Sequence, residues 1–189
     1  MKNIKNIIIY SHQRYFNNTD IKKIISYLKR RKVKITLITQ YKGHAKIDGY
    51  DEVIDNNFIF KKSKIKSDLI IVFGGDGLFL SAAKIGVSLD IPILGINYGK
   101  IGFLVDVDKK EALKQVTSII DGDYIIDNRM LIDAKVIDNM NKKTQLVSLN
   151  DVVVHNYGLL KMIKMKIFVN NFLINVQRSD GVIIATPTG

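Results

Sequence analysis

A glycine-rich turn that carries one acidic residue is the strongest chemical signal in this sequence. Gly74-Gly75-Asp76-Gly77 follows the apolar run 69–73 directly and precedes a helical pattern over 78–87. Glycines at a helix N-terminus let backbone N–H groups approach a phosphate closely, because they carry no Cβ atom. A carboxylate beside a bound phosphate is repelled unless it faces a cation or a hydroxyl proton. Asp76 therefore indicates phosphoryl transfer rather than simple nucleotide binding.

Two better-known glycine patterns do not fit this turn. A dinucleotide-binding G-x-G-x-x-G that starts at Gly75 would need a glycine where the chain has Leu80, and the Gly-Lys-Ser/Thr run of a P-loop is absent. A simpler interpretation stays open, in which the segment is a tight strand-to-helix turn with an aspartate in the first turn of the helix.

Composition limits the class of protein. The chain has 189 residues, 47% of them hydrophobic, and only two prolines, which is typical of a globular protein with one core or one domain and part of another. It has no cysteine, so disulfides and thiolate catalysis are excluded. No apolar stretch has transmembrane length, and the first one is too short for a signal peptide, so we expect a cytoplasmic protein.

The net charge of +11 raises the question of a polyanionic partner. The one dense basic run, residues 61–66, has no interleaved aromatic residues, and the chain is rich in isoleucine, lysine and asparagine, as A/T-rich codon usage produces. We therefore expect no specific nucleic acid and no membrane as partner. The three histidines, His12, His44 and His155, fit no metal-binding spacing, and we expect no metal site made by the protein alone.

The order of elements predicts the fold of the first part. Asn17 to Asp20 offer N-caps for a helix whose apolar residues recur at helical spacing, and the spacing of Asp108 and Glu111 predicts a capping box before a helix that ends at Gly122. Strands and helices alternate, which predicts a mostly parallel, helix-covered sheet of the doubly wound, Rossmann-like α/β class. The predicted strands are 4–10, 33–39, 69–73 and 91–96.

The pattern changes after Gly122 to β-rich runs at 131–138, 146–155, 162–169 and 172–177, with Asn170-Asn171 as a hairpin turn. We predict an α/β nucleotide-binding domain over 1–125 and the first part of an all-β domain over 126–189. The strand-like run 182–185 leads into a turn at 186–189 that leaves few strands to bury the apolar face. We therefore expect the chain to be truncated at its C-terminus.

Four motifs follow one another along the chain. They are Gly74-Gly75-Asp76-Gly77, the segment 95–104, the segment 149–153 and the segment from Arg178-Ser179-Asp180-Gly181 to Gly189. Together they resemble one family, the NAD kinases, over essentially the whole chain. The resemblance implies transfer of a phosphoryl group from ATP or polyphosphate to the 2′-hydroxyl of the adenosine ribose of NAD, which gives NADP. It also implies a divalent cation such as Mg²⁺ bound with ATP, and a homo-oligomer.

The resemblance also implies roles for individual residues. Asp76 would be the general base, and the glycines around it would admit phosphate. The segment 95–104 would be a loop at a strand's carboxyl end that either contacts ligand or turns around buried Phe103 and Leu104. The remaining residues implied to bind substrate or nucleotide are Asn150 and Asp151, which match the family's Asn-Glu pair, Lys161, and Arg178 with Asp180.

Two alternatives remain open. A lipid or sugar kinase can share the glycine-aspartate turn, but the motifs at Asn150-Asp151 and 178–189 favour NAD. A catalytically dead nucleotide-binding fragment is favoured by the way the chain ends, so whether the 189-residue form is active stays undecided.

Overall fold

The computed structural model describes residues 4–39, 48–55, 65–100, 102–158 and 162–189. The chain divides into two compact units, Met1–Asp127 and Asn128–Gly189, and the glycine-aspartate turn lies in the first. Residues 61–64 of the basic run 61–66 lie outside the described residues.

The first unit is built on one sheet of six parallel strands, in the order β3-β2-β1-β4-β5-β6. The predicted parallel, helix-covered sheet is confirmed, and its two edge strands, β3 and β6, are additional to the prediction. The strands are β1 (Asn6–Ser11), β2 (Lys34–Thr39), β3 (Glu52–Asp55), β4 (Leu69–Gly74), β5 (Ile93–Asn97) and β6 (Val107–Asp108).

The strand order creates a topological switch point between β1 and β4. From β1 the chain builds outward through β2 to β3, then returns to the other side of β1 and builds outward through β4, β5 and β6. β1 and β4 are paired in register, with Tyr10 opposite Val72 and Ser11 opposite Phe73. In open α/β sheets the loops that leave two such strands separate and form a crevice, which is where these folds bind ligands.

Helices cover both faces of the sheet. They are α1 (Thr19–Arg30), α2 (Asp76–Leu89) and α3 (Ala112–Asp121). Alternate residues of β1 serve the two faces, because side chains alternate along a strand: Ile7 and Ile9 pack in the core with α1 and α3, and Ile8 and Tyr10 pack in the core with α2. The unbroken apolar sequence of β1 is therefore explained by burial on both sides.

The ends of the helices agree with the sequence in part. Asn18 is the N-cap of α1, and its side chain accepts hydrogen bonds from the N–H groups of Asp20 and Ile21. The predicted capping box of α3 is wrong. Asp108 is the last residue of β6, so its carboxylate caps a short turn, accepting from the N–H of Lys110, and α3 begins only after Glu111. Gly122 ends α3 in the left-handed conformation, as predicted.

The second unit consists of three antiparallel ribbons, β7–β8, β9–β12 and β10–β11. The predicted run 146–155 is divided between β8 and β9, and Asn170 and Asn171 both have positive φ, as the predicted hairpin turn requires. Among its described residues only Thr186 is buried. The strands are β7 (Ile132–Ile137), β8 (Lys143–Ser148), β9 (Asp151–His155), β10 (Ile163–Val169), β11 (Phe172–Ser179) and β12 (Gly181–Ala185).

None of the helices in the described parts of the chain combines the length and the apolar character needed to cross a bilayer.

Candidate active site

A cleft of about 490 Å³ opens at the carboxyl ends of β1, β4 and β5, in the crevice beside the switch point. It contains all four residues of the glycine-aspartate turn together with basic residues from the neighbouring loops. The lining residues are His12, Arg14, Tyr15, Gly74, Gly75, Asp76, Gly77, Leu78, Gly99, Lys100 and Gly102.

The glycine-aspartate turn connects β4 to α2 through a single residue, Gly75. β4 ends at Gly74, Gly75 is the N-cap of α2, and Asp76 is its first residue. Gly75 has no side chain with which to cap the helix, and its carbonyl accepts from the N–H groups of Leu78 and Phe79. The N-terminus of a 14-residue helix therefore points its first N–H groups at the cleft, which is favourable for an anion.

The loop after β5 lies directly against this turn. A Cβ atom on Gly99 would lie 3.3 Å from the Cα atom of Gly75, so the two backbones are in contact. The N–H of Tyr98 donates to the carbonyl of Gly74, and the N–H of Gly99 donates to the side chain of Asn97. A side chain at position 99 would therefore press against the turn, and the two backbones would have to move apart by a few tenths of an ångström.

Asp76 is bound by the same loop. One carboxylate oxygen accepts a 2.8 Å hydrogen bond from the N–H of Phe103, and the other accepts a 3.2 Å hydrogen bond from the N–H of Leu104. A Cβ atom on Gly102 would overlap the carboxylate. Each oxygen keeps a second lone pair, so the carboxylate is oriented and can still accept a proton.

Phe103 is the most exposed large side chain of the cleft region. Its side chain is 94% exposed, whereas Leu104 is partly buried. The alternative that the loop turns around a buried Phe103 is therefore wrong. The reason is local: the backbone of Phe103 turns inward to reach Asp76, and its ring is directed away from the core.

Neither a contact nor the backbone conformation in the described structure requires a glycine at position 77. It is exposed, its φ is not positive, and a Cβ atom added to it would meet nothing within 4 Å. This differs from Gly74, where a Cβ atom would lie 2.6 Å from the side chain of Leu78. Space beside Gly77 is available to a molecule that approaches the backbone closely.

The cleft also contains His12, Arg14, Tyr15 and Lys100, and no pattern in the sequence assigned a role to any of these four residues. Arg14 and Tyr15 lie in a 3-10 turn that follows β1. Arg14 and Tyr15 could have been identified by their position immediately after a central strand, but that prediction requires knowledge of the strand order. Lys100 lies inside the second motif, the segment 95–104.

Tyr98 connects this turn to the core. The Tyr15 hydroxyl donates a 2.8 Å hydrogen bond to the carbonyl of Tyr98, and the two rings are 5.4 Å apart. Burial, and to a smaller extent the negative charge of Asp20, raises the pKa of the Tyr98 phenol to about 12. The Tyr98 phenol is therefore neutral at physiological pH and contributes no charge near the cleft.

The second unit contains the other residues implied by the resemblance, in two separate places. Asn150 and Asp151 open β9, and the Asn150 amide donates to the Asp151 carboxylate at 3.1 Å. The backbone N–H of Thr186 donates to the carbonyl of Asn150. The segment that ends at Gly189 therefore lies beside the Asn150-Asp151 pair.

Arg178 and Asp180 lie at the other end of the β9–β12 ribbon. Gly181 pairs with His155 and Ala185 pairs with Asp151, so the ribbon runs from the Asp180 end to the Asp151 end. At ~3.4 Å per residue, these two groups are about 14 Å apart along β9. Both Arg178 and Asp180 are exposed. Lys161 lies outside the described residues.

The fold and the cleft define an open α/β domain in which a helix N-terminus, suited to an anion, faces the crevice at the carboxyl ends of the strands. The family model described as the ATP-NAD kinase N-terminal domain matches residues 11–124. The chain belongs to the ATP-NAD kinase family.

The chain is also similar to curated proteins described as NAD kinases. The chain is 44% identical over 126 residues to an NAD kinase of Coxiella burnetii (strain Dugway 5J108-111) and 40% identical over 124 residues to one of Azoarcus sp. (strain BH72). These matches cover 67% and 66% of this chain, and 42% of each relative. The matched part is therefore less than half of the length of these relatives.

Two solved structures share the fold. A yeast NADH kinase complexed with NADH superposes with a TM-score of 0.75 over 100% of this chain and 59% of its own, at 20% identity. An NAD kinase from Archaeoglobus fulgidus in complex with ATP gives a TM-score of 0.63 over 96% of this chain and 60% of its own, also at 20% identity.

Proposed function

We propose that the protein is an NAD kinase, which transfers the terminal phosphoryl group of ATP or polyphosphate to the 2′-hydroxyl of the adenosine ribose of NAD and forms NADP. The observation that carries the proposal is the carboxylate of Asp76 at the N-terminus of α2, inside a cleft whose lining includes five glycines and the cations of Arg14 and Lys100. A site that only held a nucleotide would gain nothing from a negative charge there.

Asp76 acts as the general base. A secondary hydroxyl is a weak nucleophile, and a carboxylate within hydrogen-bond reach both orients it and takes its proton as the new P–O bond forms. The two amide hydrogen bonds from Phe103 and Leu104 hold the carboxylate in one orientation and leave a free lone pair on each oxygen. Pre-orientation of this kind lowers the entropic cost of reaching the transition state.

The transferred phosphoryl group binds at the N-terminus of α2. Gly75 leaves the first N–H groups of the helix uncapped by any side chain, and the missing Cβ of Gly77 leaves room beside the backbone. Phe103, next to the base and almost fully exposed, offers a flat apolar surface on which a nucleobase can stack.

A divalent cation enters with the donor. In the described part of the chain no three histidine or acidic side chains converge on a common point, and Asp76 is the one acidic side chain that lines the cleft. This fits Mg²⁺, which is usually held by substrate phosphates with one or two carboxylates, and Asp76 is the residue that would reach it. When bound, the cation neutralises charge on the phosphates.

The residues of the second unit contact the dinucleotide at two places. Asn150 and Asp151 bind ribose hydroxyls, since an amide both donates and accepts and a carboxylate accepts two hydroxyls. Asp151 is one methylene shorter than the glutamate of the family pattern, so its contact is closer to the strand. Arg178 binds the pyrophosphate, and Asp180 binds a ribose or base donor. We place the protein in the cytoplasm as a homo-oligomer.

The test is product formation by the purified 189-residue chain. It is incubated with NAD, Mg²⁺ and either ATP or polyphosphate, and NADP is measured with an NADP-specific dehydrogenase. The Asp76→Asn variant is the matched control for contaminating kinases. NADP that appears with the unmodified chain and not with the variant supports the proposal. Absence of NADP with both donors, from protein shown to be folded, contradicts it. Phosphorylation of a lipid or sugar instead supports the alternative kinases.

A further inference from the structure

We propose that Arg14 binds the phosphate chain of the phosphoryl donor, with Lys100 as the second cation of the same contact. The proposal rests on the proposed function, because it names the group that holds the donor in that site. It assigns a role to a residue outside the four motifs.

Arg14 reaches the cleft from the first strand of the sheet. The 3-10 turn Gln13–Tyr15 leaves β1 beside β4, because Ser11 and Phe73 are paired neighbours at the ends of those strands. Arg14 lines the same cleft as Asp76 and the N-terminus of α2. The switch point therefore brings a guanidinium from one strand end to an anion-binding helix end from the next.

The Arg14 side chain packs against Tyr15, which in turn contacts Tyr98. Its guanidinium lies 4.8 Å from the centre of the Tyr15 ring, a cation–π distance. The Tyr15 hydroxyl is bonded to the Tyr98 carbonyl, and the Tyr98 ring packs 5.8 Å from the ring of Phe73, which is fully buried. A continuous set of contacts thus connects the core to Arg14, which reduces the entropy that the side chain loses on binding a ligand.

Among the described residues Arg14 makes no ion pair, whereas Arg31 forms one with Asp121 at 2.6 Å. The cleft has the cations of Arg14 and Lys100 against the single carboxylate of Asp76, and that carboxylate is already bonded to two backbone N–H groups. The cleft therefore carries a net positive charge and attracts an anion.

The donor fits this charge better than the acceptor. The two linked phosphates of a dinucleotide carry two negative charges, whereas a triphosphate or polyphosphate chain carries more. Asp76 has to face the acceptor hydroxyl, so the phosphoryl group lies next to it and the remaining phosphates extend away from it into the rest of the cleft. Arginine suits phosphate oxygens because its planar fork binds two of them at once.

The experiment measures binding of inorganic tripolyphosphate, ATP and NAD to the full 189-residue chain by titration calorimetry. The variants are Arg14→Ala, Arg14→Lys and Tyr15→Phe. The matched control is Arg30→Ala, since Arg30 is also an exposed arginine, at the end of α1, and does not line the cleft. Circular dichroism and thermal melting establish that each variant is folded.

We expect Arg14→Ala to weaken tripolyphosphate and ATP binding by about tenfold or more, as removal of a charged hydrogen-bond partner does. The affinity of Arg14→Lys for these ligands should lie between those of the unmodified chain and Arg14→Ala. Lysine keeps the positive charge but lacks the planar guanidinium that binds two phosphate oxygens at once. Tyr15→Phe should weaken ATP binding by a few-fold, because it keeps the ring and loses the hydroxyl bond. NAD affinity should be unchanged in the Arg14 variants. The Arg30→Ala control should bind all three ligands with the affinity of the unmodified chain.

Three results overturn the proposal. They are unchanged tripolyphosphate affinity in folded Arg14→Ala, an equal loss of NAD and ATP affinity, and no binding of tripolyphosphate or ATP by the unmodified chain. Its failure is distinct from failure of the proposed function. If NADP is formed and Arg14 proves unimportant for the donor, only this inference falls. If donor binding needs Arg14 and no NADP is formed, only the proposed reaction falls.

Discussion

The carboxylate of Asp76 accepts a 2.8 Å hydrogen bond from the backbone N–H of Phe103, a residue of the loop that follows β5. With the second bond from Leu104, it fastens this loop to the N-terminus of α2. The side chain proposed as the base is therefore also a structural support for the loop that carries the exposed Phe103 ring. A substitution at Asp76 changes both properties, and the experiments have to separate them.

Asp76→Asn should lower NADP formation by about 10²-fold or more, the usual contribution of a positioned general base. It should also increase hydrogen exchange at the N–H groups of Phe103 and Leu104. The reason is that a carboxamide has one accepting oxygen, and its NH₂ group faces one of the two donors. Mass-spectrometric exchange and a coupled NADP assay measure the two effects. Near-normal turnover would remove Asp76 from the mechanism.

Gly77→Ala should leave stability unchanged or raise it by about 0.5–1 kcal/mol, since alanine favours a helix and the added methyl group meets nothing. Turnover should nevertheless fall, because the methyl group takes the space proposed for phosphate. Chemical denaturation and the NADP assay test the two parts. A fully active Gly77→Ala variant would show that the ligand does not approach this backbone.

Gly102→Ala should behave differently. The added methyl group overlaps the carboxylate of Asp76, so either the carboxylate or the loop has to move. We expect kcat to fall more than tenfold, with a smaller change in the KM for ATP, because the base is displaced and the donor contacts remain. Equal changes in kcat and KM would argue against a role for Gly102 in orienting Asp76.

Asn18→Ala should lower the free energy of unfolding by about 1 kcal/mol, because the N–H groups of Asp20 and Ile21 lose their capping acceptor. Asn17→Ala is the matched control, since the Asn17 side chain is bonded only to the exposed Lys22 ammonium in the described structure. Urea denaturation measures both. An equal effect of the two substitutions would contradict the assignment of Asn18 as the cap.

Tyr50→Phe should make the protein more resistant to alkaline unfolding. Burial raises the pKa of the Tyr50 phenol to about 12, and its hydroxyl has no partner among the described residues. A phenol with a raised folded-state pKa contributes stability fully below its unfolded value of about 10, and this contribution is lost as the pH rises through 12. Urea midpoints at pH 8 and pH 11 should differ less in the variant.

Local patterns predicted the parts of the fold that are locally determined. The buried set of α1, Ile21, Ile24, Ile25 and Leu28, is given by helical spacing alone, and β1 is given by an unbroken apolar run. β3 escaped prediction because it is a four-residue edge strand whose two central apolar residues lie between acidic ones. The break between β8 and β9 was missed because the apolar pattern continues through Leu149 while the backbone turns.

The candidate site also has one part that the sequence predicts and one part that depends on the fold. The glycine-aspartate turn is contiguous, so residue types alone identify it. The contact of Asp76 with Phe103, and the position of Arg14 beside them, depend on which strands are neighbours. No periodicity in the chain encodes that order. A sequence motif can show that a carboxylate matters, and only the assembled sheet shows which backbone N–H groups hold it.

The central position of β1 also determines the order in which the sheet can assemble during synthesis. β1 precedes both of its neighbours in the chain, and it can pair with β2 soon after that strand is made, but its other neighbour, β4, does not begin until Leu69. Until then the nascent chain has an apolar strand with one unpaired edge, a state that favours association with other chains. Closing that edge requires the strand that ends at Gly74, the first residue of the glycine-aspartate turn. Pairing of β4 with β1 therefore protects the exposed edge and also positions the turn at the end of the sheet.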